Sequence, residues 1–235
     1  MPALTVLGFD TATAATVAGL TFNGQSFERR DDPAVGARPG HATRLLSLIE
    51  DLFKDGGIGW QDIDRVAIGV GPGSFTGLRI GVATARALAQ ARGLPIVPVS
   101  TLRALAAGAL EGISPIEGVS LKPVAAIIDA RRGEIFAGVW EGEATLLAPQ
   151  AVAPDDFCQT LRQLACEPTA VGDGALRYRS MLEAAGALIA ADDASEHRVS
   201  GPAICELGAR GDLVSLDKVI PNYLRQPDAE ISLKS

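Results

Sequence analysis

Apolar and polar residues follow two rhythms along this chain, and the places where one gives way to the other mark its elements. Residues 4–9 are an apolar run that ends on Asp10. A polar turn, Thr11-Ala12-Thr13, separates it from a second apolar run over 14–22, which together read as a β-hairpin. Residues 41–54 place Leu45, Leu48, Ile49, Leu52 and Phe53 at helical spacing, and Asp55-Gly56-Gly57 stops that helix. A strand over 65–70 leads into a helix over 75–92, ended by Gly93 and Pro95. Residues 96–99 are a short buried strand, and Ser100 can cap a helix over 101–110. The Gly-, Ser- and Pro-rich stretch 112–123 reads as the boundary between an N-terminal domain (1–112) and a C-terminal one (113–235).

Beyond that boundary the pattern begins again. Residues 124–128 end on Asp129, a turn covers 130–133, and an apolar run covers 134–140. Eight residues after Asp10 stand Ala18-Gly19-Leu20, and eight residues after Asp129 stand Ala137-Gly138-Val139. Matching hairpins at one offset point to a duplicated architecture. Helices over 154–164, 178–185 and 201–210, with a short strand at 169–171, complete a thinner second half. Pro221-Asn222-Tyr223-Leu224-Arg225 is expected to dock before the tail frays. Hairpins followed by alternating helices and strands give an α/β fold class.

Composition narrows the functional classes. The chain has 235 residues, 47% of them hydrophobic, enough to bury a full core. Its formal charge is −7, which disfavours a free-standing nucleic-acid binder; the doubled basic pairs are Arg29-Arg30 and Arg131-Arg132. Cys158, Cys166 and Cys205 lack paired or metal-type spacing, and no signal segment or membrane-length apolar run is seen, so a cytoplasmic protein is expected.

The most distinctive segment is Gly69-Val70-Gly71-Pro72-Gly73-Ser74-Phe75-Thr76-Gly77-Leu78-Arg79-Ile80-Gly81. It has the strand–loop–helix form of a phosphate cradle but lacks the lysine of a Walker loop, and Gly77 comes one residue late for a dinucleotide loop. Ser74 is no nucleophile elbow, because Pro72 and Thr76 occupy the glycine positions. On the helix that follows, Gly77, Gly81 and Ala85 recur every four residues, beside Leu78 and Val82. Such a slim ridge can pack inside its own domain or admit the helix of another protein.

The Gly-Pro-Gly-Ser-Phe-Thr-Gly-Leu-Arg-Ile-Gly stretch, the Asp129-Ala130-Arg131-Arg132-Gly133-Glu134 turn and the Pro221-x-Tyr223-Leu224-Arg225 tail together resemble the bacterial TsaB (YeaZ) family over nearly the whole chain. The resemblance implies a duplicated actin/hexokinase/Hsp70-like (ASKHA) fold of two lobes, the second reduced. It also implies a non-catalytic role in making threonylcarbamoyladenosine in tRNA, beside a catalytic paralogue, TsaD, and an ATPase, TsaE. tRNA would then be met indirectly through the complex, and a homodimer can form in isolation.

In such a fold Asp10, Thr11, Thr13 and Asp129 occupy nucleotide-binding positions. The turn after Asp10 has no glycine, and after Asp129 the bulky Arg131 and Arg132 stand where close phosphate approach favours glycines, so these sites read as weak or vestigial. No cofactor is expected, with ATP or ADP at a subunit boundary the exception; the alternative is an ATP-using kinase or ATPase acting alone. The family's catalytic paralogue carries a metal on a helix with two histidines, whereas here His41 is followed one turn later by Leu45, so no metal is expected. The resemblance implies pairing with TsaD through the first two helices. That implies a partner-binding set of His41, Leu45, Leu46, Leu48, Ile49, Leu52, Gly77, Leu78, Gly81, Val82 and Ala85.

Overall fold

The computed structural model describes residues 4–34, 36–110, 122–164 and 166–225. Most of the stretch expected to form a domain boundary, and the end of the tail, lie outside them. The chain divides into two compact units. The first takes Met1–Ala104 and Ser200–Tyr223, and the second Leu105–Val199 and Leu224–Ser235. The division therefore differs from the expected cut after residue 112, because a helix late in the sequence packs with the first unit.

In the first unit, strands β1 (Val6–Asp10), β2 (Thr16–Phe22) and β3 (Gln25–Asp31) form an antiparallel meander, and β4 (Arg65–Gly69) and β5 (Ile96–Val99) extend the sheet in parallel from β1. Strand order is β3-β2-β1-β4-β5. Helices α1 (His41–Gly56) and α2 (Phe75–Arg92) cover one face. There Leu7, Phe9, Leu20 and Ile68 from the sheet meet Leu45, Leu48, Ile49 and Leu52 from α1 and Val82 and Ala85 from α2. Burial of each large side chain contributes about 1.5–3 kcal/mol. Left-handed Gly57 and Gly93 end the two helices, and the Ser74 hydroxyl accepts the Gly77 N–H at the start of α2 (3.3 Å).

The opposite face carries α7 (Gly201–Arg210), the helix sequence order had assigned to the second half. The sheet makes room for it with small residues. A Cβ on Gly8 would meet Ile204 and Cys205, one on Gly208 would meet Ala67, and Gly19 lies directly against the Gly201 backbone. Helix α3 (Thr101–Gly108) leaves β5, and the chain passes from the first unit to the second within it.

In the second unit, β6 (Val124–Arg131), β7 (Glu134–Glu141), β8 (Ala144–Val152), β9 (Thr169–Val171) and β10 (Leu188–Ile189) form a sheet ordered β10-β9-β6-β7-β8. Read from β8, this repeats the first sheet: an antiparallel meander joined to two parallel strands. Helices α4 (Pro154–Gln163), α5 (Asp173–Arg177) and α6 (Arg179–Ala184) complete the unit; Phe157, Leu161, Ala175 and Leu182 pack on Ile127, Ile135 and Ala137. The duplicated actin-like α/β architecture is thus present. The repeated Ala-Gly pair, however, is not in matching register. Ala18 pairs with Phe9, one residue before Asp10, whereas Ala137 pairs with Ile127, two before Asp129, because a bulge follows Asp129.

Candidate functional site

The Gly69-to-Gly81 segment runs from the end of β4 into α2, and its open-looking loop is filled by this chain's own first hairpin. The Ser74 N–H donates to the Ala12 carbonyl (2.6 Å), and the Thr11 hydroxyl donates to the Gly77 carbonyl (2.8 Å). The glycines mark where the hairpin presses. A Cβ on Gly69 would run into the Asp10 carboxylate, on Gly73 into the Ala12 carbonyl, on Gly77 into the Thr11 carbonyl, and on Gly81 into the Thr11 hydroxyl. Gly71, by contrast, is left-handed at φ 108° and serves the turn itself.

The slim ridge of α2 therefore faces inward. Gly77, Leu78, Gly81, Val82 and Ala85 are all buried, as are His41, Leu45, Leu48, Ile49 and Leu52 on α1. Of the partner-binding set, Leu46 alone is exposed, at 50%. The positions that look apolar on each helix are those that pack on the sheet and on the Asp10 turn.

Of the positions expected to meet nucleotide, Asp10 and Thr11 are engaged by this chain's own groups. Asp10 is 1% exposed; one carboxylate oxygen accepts the Ala12 N–H and the other the Thr101 hydroxyl, both at 2.6 Å. Burial raises its pKa above the usual carboxylate range, and the Thr101 and Ala12 bonds oppose that rise. Thr101 also accepts the Gly71 N–H (3.2 Å) and donates its own N–H to the Gly71 carbonyl, so it ties Asp10 to the signature loop. No spacing in the sequence marks Thr101 for that part. Thr11 is fully buried, and Thr13 is half-buried.

Asp129 lies in the second unit. Its carboxylate accepts the Arg131 N–H (3.0 Å) and an Arg177 guanidinium N–H (3.2 Å), while its own N–H donates to Asp173 (3.0 Å). Burial raises the Asp173 pKa, with the Asp129 charge adding to the rise. His41 hydrogen-bonds the Thr16 hydroxyl through Nδ1 (2.8 Å), and its buried Nε2 has no hydrogen-bond partner among the described residues. Burial lowers its pKa, against the pull of Asp31. Among the described residues no three His, Cys, Asp or Glu side chains come together as metal ligands, and no helix is long and apolar enough to cross a membrane.

What α1 and α2 turn outward is different in kind. Ala42, Leu46 and Glu50 line the exposed side of α1, and Ala83, Arg86, Ala87 and Gln90 that of α2. A shallow groove of about 510 Å³ runs along α2 between Arg79, Val82, Ala83, Arg86, Ala87, Gln90 and Pro221. At its end Phe75 and Tyr223 lie with ring centroids 5.0 Å apart, the Arg79 guanidinium stands 3.8 Å over Phe75, and Arg79 Nε donates to the Tyr223 hydroxyl (3.1 Å). Small, apolar, aromatic and arginine side chains on one exposed face have the composition of a protein interface.

Known proteins share this plan. A family model described as TsaD, tRNA N6-adenosine threonylcarbamoyltransferase, matches residues 33–179. The tRNA threonylcarbamoyladenosine biosynthesis protein TsaB of Escherichia coli (strain K12) is 32% identical over 197 residues, covering 79% of this chain and 80% of that protein. TsaB of Bacillus subtilis (strain 168) is 28% identical over 200 residues, or 82% and 83% of the two chains. Among solved structures, YeaZ from Pseudomonas aeruginosa superposes with a TM-score of 0.74 at 27% identity, over 94% of this chain and all of that one. The ethanolamine utilization protein EutJ from Carboxydothermus hydrogenoformans shares the fold at 13% identity and a TM-score of 0.50, over 87% and 91% of the chains. Signature loop, duplicated sheets and relatives agree, and the chain belongs to the TsaB (YeaZ) family.

Proposed function

We propose that this protein is a non-catalytic subunit for the synthesis of threonylcarbamoyladenosine in tRNA, and that it docks a TsaD-like paralogue through the outward faces of α1 and α2. A TsaE-like ATPase would join the assembly. The observation that carries the non-catalytic reading is the filled turn. In an actin-like enzyme the strand-end aspartate and the following turn must meet phosphate, but here Asp10 spends both oxygens on Ala12 and Thr101, and the turn is clamped by Ser74 and Gly77.

Docking follows from the outward face. Ala83 and Ala87 let another helix approach α2 closely, while Leu46, Arg79 and Tyr223 supply the large side chains that dominate interface energetics. The family model matched here is itself that of the transferase, so the partner would carry a homologous pair of helices, and the contact would resemble a dimer of like folds. The test is complementation. Cells depleted of their own TsaB should regain threonylcarbamoyladenosine in tRNA when this chain is expressed, and the purified chain should turn over no ATP by itself. ATP turnover by the chain alone that is lost in Asp10→Ala would contradict the non-catalytic reading.

A further inference from the structure

The turn between β6 and β7 carries two arginines where the backbone disfavours them. Arg131, Arg132 and Gly133 are consecutive left-handed residues, at φ 64°, 54° and 79°. Elsewhere the same chain builds a two-residue turn of this kind, between β2 and β3, from Asn23 and Gly24 at φ 50° and 75°. Asparagine and glycine enter that conformation readily; an arginine there costs about 1 kcal/mol or more.

Among the described residues, ion-pair contacts do not repay Arg131. Its side chain is 80% exposed and reaches Asp129 only at 4.0 Å. Arg177, from the separate helix α5, joins the same corner; it is 58% exposed and shares the same carboxylate at 3.2 Å. Arg225 secures the base of the turn through the Ala130 carbonyl (3.1 Å) and Glu134 (3.0 Å). The exposed guanidinium groups of Arg131 and Arg177 thus stand together at one corner, beside Arg132, on a chain whose formal charge is −7.

We propose that the Arg131–Arg132 turn, with Arg177 beside it, is a contact site for backbone phosphates of RNA. The choice of RNA over another phosphate source rests on the tRNA-modification reading above. An exposed guanidinium pair at a hairpin tip suits phosphate oxygens, which accept paired N–H donors. The net charge of −7 disfavours RNA contact over the chain as a whole, so the tip would orient the nucleic acid and not merely attract it. The site reads backbone and not sequence.

The decisive variant is the double change Arg131→Gly with Arg132→Gly. Glycine relieves the left-handed backbone, so this protein should fold with a melting temperature equal to or above that of the wild type. Binding of unmodified tRNA to the full chain, followed by fluorescence anisotropy across a salt series, is expected to weaken about tenfold at low salt. The slope of log K against log salt should become shallower by roughly one to two. Arg162→Glu, an exposed change of charge on α4 in the same unit, should leave binding unaltered. Equal tRNA affinity and slope in the wild type and the glycine variant would overturn the proposal, as would displacement of tRNA by ATP at equal phosphate concentration, which would make the site a nucleotide site. Co-elution of either protein with a TsaD-like paralogue reports on the docking reading separately, so the two can fail independently.

Discussion

Asp10, Gly77 and His41 show how much a residue's meaning depends on what lies against it. Glycine inside a helix normally costs about 1 kcal/mol relative to alanine, so Gly77→Ala would stabilise a free helix. Here the added Cβ meets the Thr11 carbonyl, a backbone group that cannot step aside, and the clash wins. Gly77→Ala should lower stability by about 1–3 kcal/mol in chemical denaturation. Gly81→Ala, which meets side-chain atoms of Thr11 and Ile68 and no backbone, should cost less. His41 gives a pH signature. Its folded pKa is held below the unfolded value of 6.5, so the unfolded chain binds the proton first. Stability should therefore fall as pH drops below about 6.5 and level off once the folded-state imidazole also titrates; His41→Gln should flatten that part of the curve. Asp10, with a raised pKa, acts in the opposite sense: its favourable contribution is complete below the unfolded value of 3.8 and is lost as pH rises through the folded value.

At the scale of elements, the sequence shows which face of a helix is apolar but not what that face meets. The stripe through Leu45, Leu48, Ile49 and Leu52 is legible from spacing alone, and it packs on the sheet as such a stripe should. The Gly77, Gly81 and Ala85 row is equally legible as small residues, yet its neighbour, the Thr11 turn, lies more than sixty residues away in sequence. Strands β3 and β8 escape periodicity for a different reason. β3 reads QSFERRD and β8 contains Pro149; both are sheet edges held mainly by backbone pairing, so neither needs an apolar alternation. Helix α7 is visible through its Ser200 cap and Pro202, but nothing local says that Gly201 and Gly208 must fit against Gly19 and Ala67.

For the molecule as a whole, the duplication is the feature that the chain declares most openly, and its two sheets repeat one strand order. The Ala-Gly offset that helps to reveal it is shifted by one residue in register, so the repeat is carried by topology more firmly than by residue matches. The first unit buries Asp10 beneath its own hairpin and Thr101. What it leaves exposed is the outer side of α1 and α2. The central claim, that this outer side and not the glycine ridge meets a TsaD-like paralogue, is tested most directly by calorimetric titration of that paralogue into the wild type and into Ala83→Glu/Ala87→Glu. Both positions are exposed, so the variant should keep the wild-type melting curve. The account predicts that its affinity for the paralogue falls by at least about 100-fold, the effect of roughly 3 kcal/mol lost at a closely packed contact. A folded variant that binds as tightly as the wild type would contradict it.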